Sequence, residues 1–381
     1  MRFRALLYLI AVTVAGTPGV PSAWAETGVS PSEILIGTVN AQSGPAAGLG
    51  TGLNAGIQAY FKRINAAGGV HGRSLRLISK DDRYEPAHSA SLTEELIERD
   101  KVFALLGFVG TPTSRAAVPV AMRTQVPYLF PFTGADFLRT PVKKWVFNVR
   151  ASYIDETETL VERLTTDLGV SKIALLMQDD SFGDSVKGGI TGALSKRNLR
   201  IHAEARITRN SLAVDGAVAA LKQAKPEAIV FVGTYQQLSA AIKMAKASGL
   251  HAHFVTVSFI GTEQFIASAG SAGDGVYITQ VMPSPQDTTR PIIQQYLADI
   301  PASEVGYSSL EGYINASVLG HALEAAGAEP TRAALVNILQ DLHTDLGGFV
   351  LHFSPTRHQG SSTVYLTRVQ AGRALPVEHM Q

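Results

Sequence analysis

Thr111-Pro112-Thr113-Ser114 places three hydroxyls where an apolar strand runs out and a helix begins. Proline suits the first helical position. The free backbone N–H groups beside the hydroxyls of Thr111, Thr113 and Ser114 make a donor cluster of a size to take an anion, although the same residues also serve as an ordinary helix cap. A second set is aromatic: Phe108, Phe132, Tyr153, Tyr235 and Phe259 fall at strand–helix junctions. Each alone is as consistent with core packing as with ligand contact, but several at strand carboxyl ends fit an apolar or aromatic ligand body. Bond-making chemistry has no such support. The chain contains no P-loop, no G-x-S-x-G and no H-E-x-x-H. Gly50-Thr51-Gly52-Leu53-Asn54-Ala55 satisfies G-x-G-x-x-A, yet residues 53–80 hold neither Asp nor Glu for a ribose. His251 and His253 lack a third metal ligand nearby. We therefore expect no catalytic residue, no metal and no cofactor.

The elements that must position these residues alternate regularly. A strand at 34–39 enters a loop of small residues, then a helix with Ile57, Tyr60, Phe61 and Ile64 on one side, ended by Gly68-Gly69, then a strand at 75–79. The strand–helix alternation continues with strands at 103–107, 128–130 and 145–149, and a helix at 113–125. It restarts with helices at 155–168, 182–197, 213–224 and 236–248, and strands at 173–177, 201–205, 228–232 and 254–257. Strands separated by helical stretches of this length predict parallel sheets covered by helices on both faces. The alternation breaks at Val281-Met282-Pro283-Ser284-Pro285. Helices at 290–299, 308–326 and 331–341 follow, and a terminal hairpin of strands 349–353 and 364–369 is expected. Asp155 with Glu158, and Ser308 with Glu311, read as capping boxes.

Arg2 and Arg4, the apolar run 5–14 and Ala23-Trp24-Ala25 form a secretory signal, so a mature chain starting near Glu26 is expected in the periplasm. The sequence has no cysteine, which excludes a lipid-modified cysteine and any disulfide. A net charge of +1 predicts no affinity for nucleic acid.

Ile36-Gly37, Ser43-Gly44-Pro45 and Ile64-Asn65-Ala66-Ala67-Gly68-Gly69-Val70-His71-Gly72 resemble the opening of type I periplasmic binding proteins, in the subgroup of leucine/isoleucine/valine-binding proteins that serve ABC importers. Asp81-Asp82, the stretch 107–114, Phe147-Asn148-Val149-Arg150 and Gln178-Asp179-Asp180-Ser181-Phe182-Gly183 extend the resemblance over nearly the whole mature chain. It implies two Rossmann-like lobes joined by three crossovers, with a ligand held between them. It also implies that the loop at 111–114 and the loop Phe132-Thr133-Gly134 hold a ligand carboxylate. Gly134 stands where the family has a Thr, and Thr133 is a substitute. Leu49 falls at a family contact, Phe182 where amino-acid binders have Tyr, and Tyr235 at a family contact after Gly233. Amino-acid receptors of the family place a Glu against the α-ammonium, and here Ser258, beside Phe259, takes that position. A buried ammonium without a counter-charge is strongly disfavoured, so unless Asp155, Glu156 or Glu311 supplies one, the ligand carries no α-ammonium.

The expected architecture is lobe 1 at 26–149 and 283–346 and lobe 2 at 150–282 and 347–381, with hinges near 149–151, 281–283 and 346–349. The expected partners are a small-molecule ligand and the membrane permease of an ABC importer, with the receptor itself a monomer. A receptor of the same fold that signals to a membrane sensor, or a binder of branched-chain or other amino acids, is the alternative.

Overall fold

The computed structural model describes residues 26–381, so the signal segment lies outside the described residues. Two sheets organise the chain. The first holds five parallel strands, β1 (Glu33–Asn40), β2 (Ser74–Asp81), β3 (Ala104–Leu106), β4 (Tyr128–Leu129) and β5 (Val146–Phe147), in the order β2-β1-β3-β4-β5. Helices α1 (Ala47–Ala66), α2 (Pro86–Glu98) and α3 (Thr111–Thr124) connect them. Every residue of β3, β4 and β5 is buried, as strands covered on both faces must be.

The second sheet is built the same way from β6 (Ile173–Gln178), β7 (Ala203–Ile207), β8 (Ala228–Val232), β9 (His253–Thr256) and β10 (Tyr277–Gln280). Its helices are α4 (Tyr153–Thr166), α5 (Ser181–Ser195), α6 (Asp215–Ala224), α7 (Tyr235–Ala247) and α8 (Thr262–Ala269). The chain then returns to the first lobe as α9 (Pro291–Asp299), α10 (Tyr307–Ala326) and α11 (Arg332–Gln340). Helices α1 and α10 cross in near backbone contact. A Cβ on Gly56 would lie 1.8 Å from the Ser309 carbonyl oxygen, and one on Gly312 would lie 2.1 Å from that of Leu53. Both glycines are therefore required by the approach itself.

The end of the chain departs from the expected hairpin. Strand β12 (Val350–His352) pairs with β11 (His343–Asp345), not with β13 (Tyr365–Gln370). Strand β13 pairs antiparallel with β10 on one side and with β14 (Arg373–Val377) on the other, giving the order β14-β13-β10-β9-β8-β6-β7. The reason lies in Phe353, whose ring stacks 6.3 Å from Phe130 and meets Phe147 edge-on at 5.7 Å, holding β12 to the first lobe. The chain then runs beside the segment after β5. Gly360 N–H donates to Asn148 O (2.8 Å) and Ser361 N–H to Val149 O (3.0 Å) before β13 begins.

The fold is thus α/β, two Rossmann-like lobes of largely parallel sheet joined by three crossovers. Both sheets point their strand carboxyl ends at the seam between the lobes, the place where open α/β sheets bind ligands.

Candidate functional site

The first-lobe wall of the seam begins at the N-terminus of α3. Thr111 Oγ1 lies 2.7 Å from Thr133 Oγ1, and Thr133 donates to the Tyr153 hydroxyl at 3.3 Å. The other two hydroxyls of the expected cluster are spent elsewhere. Thr113 turns back to Val109 O and to Gly110 O (3.0 Å), the usual competition of a first-turn hydroxyl for nearby carbonyls. Ser114 Oγ accepts from Tyr128 (2.9 Å) inside the lobe. The donor set at this point is therefore Thr111, Thr133 and Tyr153, not Thr111, Thr113 and Ser114. Burial pushes the Tyr153 phenol up to about 12, so it stays a neutral donor.

Gly134 also has a physical reason. A Cβ there would sit 2.6 Å from Cδ1 of the Tyr153 ring, and Gly134 O accepts the Tyr153 N–H at 2.7 Å. Tyr153 occupies the space a threonine side chain would need and brings its own hydroxyl. Phe108, by contrast, packs 4.8 Å from Tyr128 in the core under α2 and α3, away from the seam.

Aromatic rings fill the middle of the seam. Phe259 lies 4.6 Å from Phe182 of its own lobe, and 5.7 Å and 6.0 Å from Phe132 and Tyr84 of the other. Phe182 in turn lies 5.4 Å from Tyr153. Asp180 caps α5 by accepting the Phe182 N–H at 2.9 Å, which fixes where that ring starts. Further contacts cross between lobes: the Gly48 N–H donates to the Tyr235 hydroxyl (3.3 Å) and Gln178 Nε2 to the Tyr84 hydroxyl (3.4 Å). Leu49 closes against Gly261, where a Cβ would come within 2.5 Å of Leu49 Cδ2. At the rim Glu85 receives Arg209 (3.1 Å) and Asn210 (2.8 Å) from the second lobe. The described conformation is therefore a closed one.

Charge gathers around the segment between β5 and α4. Arg150 is 1% exposed, its guanidinium lying 4.5 Å over the Phe132 ring. Its Nη2 donates to Ser258 Oγ, its Nε stands 3.6 Å from Glu311 Oε1, and neither Nε nor Nη1 has a hydrogen-bond partner. Glu156 is taken from three sides, by Ser258 N–H (2.8 Å), Ser258 Oγ (3.0 Å) and Thr279 Oγ1 (2.6 Å). Burial pushes the Glu156 carboxyl up, against the pull of Arg150 and these donors. Burial pushes Glu311 up to about 7.

The two capping boxes are thus corrected. The box at α4 is Ser152 with Asp155, because Ser152 is the residue with extended backbone before the helix (Ser152 N–H to Asp155 Oδ2, 2.8 Å). Glu158 faces Lys196 and Arg197 instead. Ser308 and Glu311 form no box, since α10 is capped at Gly306 and both side chains are buried. Beside them a cavity of about 240 Å³ opens between the lobes, lined among others by Gly52, Gln264 and Ser308. His251 and His253 are exposed, and no cluster of metal-ligating residues occurs among the described residues.

A family model described as "Periplasmic binding protein" matches residues 33–374. The chain belongs to the periplasmic binding protein family. This periplasmic binding protein is 33% identical to the solved structure of a possible leucine/isoleucine/valine-binding protein from Rhodopirellula baltica, with a TM-score of 0.86 over 91% of this chain and 96% of the other. It is 22% identical over 363 residues to a leucine-specific-binding protein from Salmonella typhimurium, covering 91% and 97% of the two chains. A fatty acid ABC transporter substrate-binding protein from Thermomonospora curvata shares the fold, at 22% identity and a TM-score of 0.85 over 93% and 94%.

Reading the sequence misses Tyr84, Arg150 and Gln178 as contributors. Asp81-Asp82, 147–150 and 178–183 mark their neighbourhoods, but no local pattern says that these side chains converge.

Proposed function

We propose that this periplasmic binding protein is the exported solute receptor of an ABC-type importer, capturing a small, mainly apolar or aromatic ligand by closing one lobe on the other. The observation that carries this reading is Phe259, which packs against rings of both lobes at 4.6–6.0 Å. A ligand entering there separates these rings when the lobes are open and is enclosed by them when closed, so binding shifts the population toward closure. Relatives with the same fold carry names for leucine and for fatty acid binding, so the fold alone does not select the ligand.

The working surface we assign is Leu49, Thr111, Phe132, Thr133, Gly134, Tyr153, Phe182, Tyr235, Ser258 and Phe259. We take residues 26–149 and 283 onward, through β12, as the first lobe, with hinges near 149–151, 281–283 and 359–363. The third hinge is moved from 346–349 because Phe353 ties β12 to Phe130 and Phe147. The closed pair of lobes presents one composite surface to a membrane permease, and the receptor works as a periplasmic monomer that binds without turnover. No helix among the described residues is long and apolar enough to cross a membrane.

The test is native mass spectrometry of the protein purified from its host, followed by small-angle scattering with the molecule that co-purifies. Unchanged release of that molecule and compaction on adding it back are expected. A bound ligand with no change in the radius of gyration sinks the closure mechanism, and chemical turnover sinks the receptor reading.

A further inference from the structure

We propose that Arg150 is the ligand's acid-binding residue, so that the solute is a monocarboxylate with an apolar body and no α-ammonium, and that Glu311 takes up a proton when the acid binds. The proposal rests on the receptor reading above and names the ligand class for that cleft.

Three observations carry it. First, Arg150 is buried between the lobes with Nη1 unpartnered, and only one N–H of Nη2 is needed for Ser258. Nη1, with neither of its N–H groups engaged, is the donor left to take a carboxylate oxygen in a charge-assisted hydrogen bond. Second, the carboxylates nearby do not hold Nη1. Glu156 is engaged by Ser258 and Thr279. Glu311 approaches Nε at 3.6 Å, an ion-pair distance too long for a hydrogen bond.

Third, position 258 is already held by a cation. A ligand ammonium brought to Ser258 would face the guanidinium bonded to that same hydroxyl, and like charges in a buried site repel strongly. Glu156 beside Ser258 therefore neutralises Arg150 rather than waiting for an ammonium. The rings of Phe132, Phe182 and Phe259 extend from this point and match an apolar body.

Bringing a second carboxylate to Arg150 crowds negative charge against Glu311. The charged groups acting on Glu311 are Arg150 in the first crossover, Glu156 on α4 and Arg139 in the turn before β5. With Arg150 shared, protonation of Glu311 is the relief nearest at hand, since its carboxyl already sits near neutrality. Acid affinity then falls as pH rises above about 7, by up to about tenfold per pH unit, because above that point binding must recruit a proton.

Calorimetry on two matched series tests this: 4-methylpentanoate against its amide and leucine, and 3-phenylpropanoate against its amide and phenylalanine. At least one acid is expected to bind roughly a hundredfold tighter than both its amide and its amino acid, and Arg150→Gln should lose about that factor. At about pH 8, titrations in buffers of different ionisation enthalpy should report proton uptake that disappears in Glu311→Gln. Equal binding of acid and amide, tighter binding of an amino acid, no binding of either acid at millimolar concentration, or full affinity in Arg150→Gln overturns the proposal. Should Arg150→Gln not fold, Glu311→Gln decides: acid binding with proton uptake unchanged from the parent overturns it. Compaction with leucine in small-angle scattering would remove the acid assignment while leaving the receptor reading intact.

Discussion

Under our proposal two places in the cleft are suited to negative charge, by opposite means. At the N-terminus of α3, Thr111, Thr133 and Tyr153 offer neutral hydroxyls beside free helical N–H groups. Between β5 and α4, Arg150 offers a full positive charge held among Ser258, Glu156 and Glu311. The first is cheap to bury, because a hydroxyl without its ligand keeps a neighbour to bond with. The second carries the desolvation cost of a charge and survives only while its partners remain. On the proposed reading the helix terminus would be a tolerant subsite and the Arg150 cluster an exacting one.

Breaking the cluster should show the largest effect. Glu156→Ala leaves Arg150 short of a counter-charge and the two Ser258 donors without an acceptor, and about 3–5 kcal/mol of unfolding free energy should be lost in urea titration. A loss below about 1 kcal/mol would mean that Arg150 is solvated in solution.

The ring bridge comes next. Phe259→Ala removes a buried ring touching both lobes and should cost about 3 kcal/mol in stability as well as weakening every ligand, read by thermal melting and calorimetry together. If melting falls and affinity holds, the ring belongs to the core alone.

Thr111→Val sharpens the tolerant side of the comparison. With the carboxylate on Arg150, it should weaken the acid and its neutral amide by a similar small amount, under about 1 kcal/mol in calorimetry. A loss of roughly 1–3 kcal/mol for the acid alone would move the carboxylate from Arg150 to Thr111.

The smallest effect calibrates the rest. Glu158 pairs with Lys196 and Arg197 on the surface, and Glu158→Gln should change stability by less than about 1 kcal/mol. Its carboxyl is held below the ordinary range by those cations and ordinary solvent screening limits what that contributes.

Most of the scaffold could be read from local pattern. The buried runs of β6 and β8, and the amphipathic stretch of α1, announce themselves because sheet and helix burial repeat along the chain. Strand pairing at the end of the chain could not, since 350–352 is equally suited to either partner and only Phe353 against Phe130 and Phe147 decides it. Caps were legible to within a turn: Asp155 does belong to a box, with Ser152 before it rather than Glu158 after it.

Glu311 shows the limit most clearly. Three residues after a serine near a helix start, it reads as a cap, yet it is buried with its carboxylate 3.6 Å from Arg150 Nε.

What the chain determined by itself is the order of its elements, the hydroxyls and rings at its strand ends, and the membership of its family, because these depend on residues adjacent in sequence. What the tertiary structure decided is which hydroxyls face the seam, which ring spans it, and that residues 150, 156, 258 and 311 form one charge cluster. Those depend on the relative placement of two sheets and a returning helix, and no short-range periodicity encodes the distance between side chains more than 100 residues apart.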